Sequence, residues 1–404
     1  MPSTRAACRP RGAPGERISG LQAALREDGL AAALVTHSRD LLYYTGTAQP
    51  GCLVVLPEDY RLFVRSGLSF AARESWLPPG RLVFERRLDA VLQGPFWGRT
   101  PRGGVGVAMD VVSARQAREM VRLLNGRELV DVSPRILAQR MIKSREEIRL
   151  VERACAAVHA GHEAALAALH PGVTELELAA AVERAHRLAG HEGDFFMRQI
   201  DFFMSRGPLA SGPNLREISG VALTITGRGL SAAVPAGPSR RRIRSGECVL
   251  IDIPTCVEGY HADQTRTYFL GRPPGEIPYL YERLRDVEDG LLAGLRPGLT
   301  CGEVYHMATS LARGLGVGEG FLRFPSGSRA HFVGHGIGLE LNEPPLVCKG
   351  SQERLEEGMV LALEIHLMSP RGHVLKLEDM VCVEAGGCRL LSRTPRDLTK
   401  VSVF

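Results

Sequence analysis

The chain has 404 residues, beyond the length at which one hydrophobic core usually keeps growing, so two domains are expected. Hydrophobic residues make up 44% and charged residues 24%, the balance of a globular protein with a substantial core. The net charge of +5 comes from 50 basic against 45 acidic side chains spread along the chain, which argues against nucleic acid or a membrane as partner.

Nine cysteines, an odd number without a C-x-x-C pair, read as reduced thiols packed as small hydrophobes. The first twenty residues are rich in Arg, Pro and Gly and lack the apolar stretch of a signal peptide. No later run is long and apolar enough to span a bilayer. These features predict a cytoplasmic protein with a flexible N-terminus over residues 1–17.

From Ile18 onward, short apolar runs such as Ala31 to Val35, Gly51 to Leu56, Arg61 to Val64 and Val105 to Ala108 alternate with helix-like stretches. This alternation predicts an α/β domain over residues 18–133. Ser113 with Gln116 forms a capping box for a helix through about Leu124, and Leu129 to Val132 closes the domain as a strand.

The second domain is expected over residues 134–404. Ser144 with Glu147 opens a long helix that stops at His170, Pro171 and Gly172, and Thr174 with Glu177 starts the next. A third helix near Tyr279 to Leu295 precedes a fourth opened by Thr300 and Glu303. Two hairpins follow the helix pairs: Glu247 to Cys256 with Ala262 to Leu270, and Gly358 to Met368 with Val374 to Glu384. The repeated order of helix, helix and hairpin suggests an internal duplication.

Each hairpin carries two carboxylates in otherwise apolar strands. Asp252 lies in VLIDIPTC, Asp263 in HADQTRTYF, Glu364 in LALEIHL and Glu378 in LKLEDMV. A lone buried carboxylate is costly unless it is paired or metal-bound, and the repetition favours a shared site. His335 lies in HFVGHGIGLELNEPP, where Gly334, Gly336 and Gly338 leave backbone room for its ring. Four carboxylates and an imidazole are an oxygen-rich set suited to a pair of divalent ions.

The ordered segments DIPTCVEGYHADQTRT, GHGIGLELNEPP, LALEIH and LKLEDMV resemble the creatinase/prolidase/aminopeptidase P group of pita-bread metallohydrolases. The resemblance runs over nearly the whole chain: GLAAALVTHSRDLLYYTGT is similar to that group's first-domain segment and QRMIKSREEIRLVERA to its domain junction. It implies an α/β (α+β) fold class, with an N-terminal creatinase-like domain followed by a pita-bread domain of pseudo-twofold helix-hairpin repeats. It also implies two metal ions, Mn²⁺ foremost with Zn²⁺, Fe²⁺ or Co²⁺ as alternatives, and a homodimer.

By the same resemblance, Asp252 holds one metal, Asp263 and Glu378 bridge both, and His335 and Glu364 hold the other. Glu364 also takes the proton of the attacking water. His331, four residues before His335, matches a substrate-facing histidine, and Asn342, His366 and Arg266 are assigned to substrate binding.

Three positions depart from the group's pattern. Pro235 replaces a substrate-holding histidine seventeen residues before the first metal Asp (252 − 235), Asn342 replaces a histidine before Glu-x-Pro, and Ile365-His366 replaces Pro-Gly. Asn can hydrogen-bond but cannot shuttle a proton near neutral pH.

The leading expectation is therefore a dimetal hydrolase of a C–N bond, an Xaa-Pro aminopeptidase or dipeptidase. The alternatives are a creatinase-like hydrolase or lyase acting on a small non-peptide carboxylate, and a non-catalytic pita-bread binding module. Gly103 to Gly106 lacks the spacing of a dinucleotide loop, the run Arg240, Arg241, Arg242 and Arg244 reads as a solvated loop, and Ser211 reads as a loop residue lining the pocket.

Overall fold

The structure is a computed structural model that describes residues 14–221 and 223–402. The chain divides into two compact units, the first ending at Ser144 and taking in Arg198–Ile200, the second running from Arg145. Residues 1–13 of the tail expected over 1–17 lie outside the described residues, and a helix begins at Pro14. Arg17 is already fixed there, donating through Nη1 to the Tyr43 carbonyl at 2.8 Å.

The first unit is built on a mixed six-stranded sheet. Its strands are β1 (Ala32–Val35), β2 (Gly51–Val55), β3 (Tyr60–Val64), β4 (Leu82–Phe84), β5 (Val105–Val107) and β6 (Leu129–Asp131), in spatial order β4-β3-β2-β1-β5-β6. Every residue of β1, β2 and β5 is buried, which is why these strands read as continuous apolar runs and not as alternating ones. The helix Ala114–Leu123 opens on the expected capping box, with the Gln116 amide donating to Ser113 Oγ.

The second unit carries strands β7 (Leu209–Ser211), β8 (Cys248–Asp252), β9 (Thr255–Val257), β10 (Tyr260–Ala262), β11 (Thr265–Leu270), β12 (Phe332–Gly336), β13 (Glu343–Cys348), β14 (Val360–Met368), β15 (Val374–Glu384), β16 (Gly387–Leu390) and β17 (Thr399–Val401). They form a four-stranded sheet β17-β11-β8-β7, a five-stranded sheet β13-β12-β14-β15-β16 and the small ribbon β10-β9. Helices Arg145–Ala168, Glu175–Leu188, Glu276–Gly294 and Cys301–Gly314 accompany them. Val182, Leu178 and Leu209 pack with Val249, Ile251 and Tyr268 in one buried cluster.

The duplication is visible at the level of single backbone bonds. Pro171-Gly172-Val173-Thr174 and Pro297-Gly298-Leu299-Thr300 occupy equivalent turns, with Gly172 and Gly298 at φ of 91° and 90°. Glycine alone enters that region without a Cβ penalty. Gly172 donates to Ile243, which donates back to Val173, and Gly298 donates to Leu355, which donates back to Leu299, all at 2.8 Å. Each turn ends in a capping box, Thr174 with Glu177 and Thr300 with Glu303. Gly246 and Gly358, at φ of 85° and 89°, then lead into the strands that carry Asp252 and Glu364, six residues on in both cases (252 − 246 and 364 − 358).

The second expected hairpin forms as read, β14 against β15. The first is modified: β8 pairs with β11 directly, while the ribbon β9-β10 is inserted between them. Its three-residue strands carry too little pattern to separate from the flanking runs.

Candidate metal centre

The register of β14 on β15 sets one wall of the site. Glu364 stands directly opposite Glu378, and His366 opposite Lys376. Because side chains alternate along a strand, these four share one face, while Ile365 and Leu377 point to the other. Three side-chain bonds from β11 fix this wall to the other sheet. Thr265 Oγ1 donates to Glu378 Oε2 at 2.6 Å, Arg266 Nη1 to the Glu378 carbonyl at 2.7 Å, and Thr267 Oγ1 to the Lys376 carbonyl at 2.7 Å.

Asp252 ends β8 opposite Thr265, and Asp263 lies between β10 and β11. His335 comes from β12, paired with Ala362 of β14. Its flanking glycines have a more specific cause than room for the ring. A Cβ on Gly334 would strike the Ala362 carbonyl oxygen, and one on Gly336 the Pro344 carbonyl oxygen, so neighbouring backbones approach too closely for any side chain.

Asp252, Asp263, His335 and Glu378 are buried and Glu364 is partly so, and all five converge on this face. Single donor atoms of Asp263, His335 and Glu378 lie within 4.8 Å of one another, and His335 Nε2 is 4.0 Å from Glu364 Oε1. The sequence reading missed the residue among them: Lys376, 2% exposed. Its Nζ lies 2.6 Å from Asp252 Oδ2, 2.8 Å from Glu364 Oε2 and 3.1 Å from Glu378 Oε2, and it donates to Thr224 Oγ1 at 2.9 Å. A lone Lys two positions before Glu378 in the apolar run VLKLEDMV was the available signal.

The electrostatics are those of a cation-binding cage. Burial, with the Glu378 and Asp252 carboxylates beside it, raises Asp263 well above the usual carboxylate range, and its Oδ1 is buried without a hydrogen-bond partner. Burial pushes Glu378 up to about 8 despite Lys376. At Glu364 burial acts upward too, but Lys376 and His335 outweigh it and hold the carboxyl below its usual range. Burial lowers His335 and takes His366 down to about 4, so both rings are neutral near pH 7. Neutral imidazole and hard carboxylate oxygens are what divalent ions of the Mn²⁺ and Zn²⁺ type require. An orphaned, buried carboxylate oxygen facing a histidine and a second carboxylate fits such an ion.

A pH dependence follows for the metal-free protein. Folded, Glu378 keeps its proton up to about 8, whereas an unfolded glutamate loses it near 4.5. Between these values the folded chain binds more protons, so this stability is fully present below about 4.5 and is lost as pH rises through about 8. Buried histidines such as His366 act in the opposite sense below about 6.5, so the comparison is with Glu378→Gln: between pH 5.5 and 8.5 wild type is expected to lose stability in chelator relative to that variant. The same pH dependence in both proteins would remove Glu378 from the buried cage.

Against this geometry, residues 149–385 match Metallopeptidase family M24, and residues 17–142 match the Creatinase/Prolidase N-terminal domain. The chain belongs to metallopeptidase family M24.

As an M24 chain it is a metallohydrolase that works with divalent ions. It is 26% identical over 387 residues to an Xaa-Pro dipeptidase of Pyrococcus furiosus, covering 95% of this chain and 99% of the relative. It is 28% identical over 407 residues to a probable dipeptidase PepE of Mycobacterium tuberculosis, covering 96% of each. The solved prolidase of Pyrococcus horikoshii OT3 superposes with a TM-score of 0.78 at 25% identity, covering 95% of this chain and 99% of that one. The Xaa-Pro dipeptidase from Bacillus anthracis gives 0.81 at 23% identity over 96% of this chain and 100% of that one, a likeness of fold.

The remaining candidates of this M24 site separate clearly. His331 and Asn342 are exposed, while His366 is buried, tilted against Phe324 at 4.8 Å, with Nε2 unpartnered. Arg266 is a correction. It is 1% exposed, and its five N–H donors go to the carbonyls of Pro395, Thr265, Glu378 and Thr394 and to Asp379 Oδ1, leaving none for substrate. Ser211 is also corrected: it does not line a pocket but is fully buried in β7, donating to Glu175 Oε1 at 2.7 Å. Of the basic run, Arg241 pairs with Glu247 and Arg242 donates to the Gly172 carbonyl, so the loop is partly anchored. Among the described residues, no helix is long and apolar enough to cross a membrane.

Proposed function

We propose that this chain is a dimetal Xaa-Pro dipeptidase or aminopeptidase, with two divalent ions held by Asp252, Asp263, His335, Glu364 and Glu378. The supporting observation is the convergence of these five side chains at one buried face, together with relatives of matching length that are named Xaa-Pro dipeptidase. Ions bound there lower the pKa of water and polarise a substrate carbonyl, and the oxygen-rich donor set favours Mn²⁺.

The chain's own residues supply proton handling and positioning. Glu364 Oε2 is engaged by Lys376 and accepts from Thr224 Oγ1 at 3.2 Å, leaving Oε1, on the His335 side, as the oxygen to receive a proton. Held below its usual pKa, Glu364 is an anion across the neutral range and ready for that role. The exposed His331 ring is free to donate toward the reacting carbonyl. His366, neutral and with a buried Nε2 unused, offers a further polar contact beside Glu364.

A second reading, a creatinase-like hydrolase or lyase for a small carboxylate, is favoured by one observation. Two positions that hold histidines in the peptidase pattern are Pro235 and Asn342, and Pro235 contributes only a carbonyl, which accepts from Ser219 Oγ at 2.8 Å. Steady-state kinetics on Xaa-Pro dipeptides, longer Xaa-Pro peptides and N-methyl compounds separate the two. For a prolyl peptidase, His331→Ala is expected to lower kcat/KM by about 10²-fold, and Asn342→His to raise it. Efficient turnover of N-methyl compounds with prolyl peptides left intact would establish the second reading instead.

A further inference from the structure

Apart from the metal centre, the second unit holds a cleft of about 470 Å³ between the end of helix Glu175–Leu188, the turn at Glu192 to Asp194, Arg206 and Ile253. That volume suits a small molecule. Three carboxylates and two guanidiniums line it, and most are already engaged. Glu192 Oε2 accepts the Gly259 N–H at 2.8 Å, and Asp194 Oδ1 pairs with Arg206 Nη1 at 2.6 Å. Glu183 and Arg187 remain. They stand four residues apart on one helix, in the order that favours an ion pair, yet among the described residues neither is in one. Burial raises the Glu183 carboxyl above its usual range despite Arg206, the mark of an anion short of a cation. Arg187 is held over the turn, where a Cβ on Gly193 would strike its Nη1.

Two buried histidines form the inner wall. His191 Nδ1 takes the Cys256 N–H at 2.9 Å, which puts the ring proton on Nε2 and makes that atom a donor. His186, 2% exposed, turns its Nε2 edge to Gly161 of helix Arg145–Ala168, and its Nδ1 is buried without a hydrogen-bond partner. Burial takes this ring down to about 4, so it is neutral near pH 7, and with the Val158 carbonyl beside it the proton belongs on Nε2. Nδ1 is then an unused acceptor.

We propose that this cleft binds a free α-amino acid as its zwitterion, with the carboxylate on Arg187 and His191 Nε2–H and the ammonium on Glu183. His186 Nδ1 stands behind as the acceptor for a bridging water. A small apolar side chain is favoured, since it lies toward Ile253. An anion alone would face an unpaired Glu183, and a cation alone an unpaired Arg187, so the ligand must carry both signs. A metal ion fits less well: among the described residues the cleft brings no three donor atoms within 4.8 Å of one another, and its guanidiniums repel a divalent cation. None of these residues is a proposed metal ligand, so the site stands or falls apart from the two-ion reading.

The test is an L-alanine titration of the metal-loaded full chain carrying ¹³C-histidine, with the His191 ring signal assigned through His191→Gln. L-Alanine is expected to shift that signal with a Kd of about 1–10 mM, the range open to a ligand of so few non-hydrogen atoms. Acetate and methylammonium, which keep one charge each, are expected to bind at least about tenfold more weakly. Arg187→Gln and Glu183→Gln are each expected to weaken L-alanine by at least about tenfold. Arg187 is exposed, so its variant keeps the fold. Glu364→Gln is expected to bind L-alanine as wild type does, which separates the cleft from the metal centre. A His191 signal unmoved at about 50 mM L-alanine would overturn the proposal, as would acetate binding as tightly as L-alanine or an unchanged Kd in Arg187→Gln. A shift lost in Glu364→Gln would place the amino acid at the metal centre and overturn it as well.

Discussion

Glu364→Gln is expected to leave a folded protein whose turnover falls by about 10²- to 10⁴-fold, the range for losing a positioned general base. The amide is nearly isosteric with the carboxylate, and the strand around it is pinned by Ala362 opposite His335 and by the pairing of β14 with β15. What disappears is charge at the point where three groups use it. Lys376 loses an anionic partner at 2.8 Å, the proposed metal position loses an anionic ligand, and the oxygen facing His335 can no longer accept a proton. Circular dichroism and melting temperature should stay close to wild type while single-turnover hydrolysis is lost. A folded Glu364→Gln protein with near wild-type turnover would remove Glu364 from the mechanism and leave the cage as a binding site only.

Arg266→Ala is expected to act on the fold, destabilising the second unit by about 3–5 kcal/mol, the cost of removing one partner from a buried ion pair. The guanidinium spans β11, β15 and the segment around Pro395. Without it, Asp379, itself fully buried, keeps among the described residues the Arg396 cation at 2.9 Å, which also serves Glu288. Against a total stability of roughly 5–15 kcal/mol this is a large fraction. Arg266→Lys should recover only part of it, since an ammonium cannot reproduce five bonds in a planar fork. Urea midpoints measure the effect. Unchanged midpoints together with a raised KM would return Arg266 to the substrate-binding role that the sequence suggested.

The contrast between these two residues shows what the sequence could convey. Carboxylates that recur in apolar strands stand out because burial penalises them, and Asp252, Asp263, Glu364 and Glu378 were legible on that ground. The three capping boxes at Ser113, Thr174 and Thr300 were legible because the chemistry is local, closing within four residues. Arg266 was misread because its partners lie more than a hundred residues away at Glu378, Thr394 and Pro395. A buried cation with remote main-chain acceptors looks, in sequence, the same as one reserved for substrate. Lys376 was overlooked although alternation along β15 already sets it on the face of Glu378; the register of β14 on β15 was needed only to bring Glu364 beside both. The ribbon β9-β10 escaped because three-residue strands leave no periodicity to detect.

If the ligands proposed above hold metal, the twofold construction of the second unit gives it a structural job as well as a chemical one. The first repeat contributes Asp252 and Asp263, and the second contributes His335, Glu364 and Glu378, so neither repeat owns the whole ligand set proposed above. On the proposed reading, Asp263 with His335 and Glu378 would hold an ion between the repeats, which would tie one to the other in the manner of a removable crosslink. Metal affinity and cohesion between the repeats are then a single equilibrium, and every increment of binding free energy is also an increment of resistance to their separation. Chelation should therefore open the seam before it unravels either repeat, and faster amide hydrogen exchange would begin at Lys376, whose N–H donates to Thr267 Oγ1 between β15 and β11.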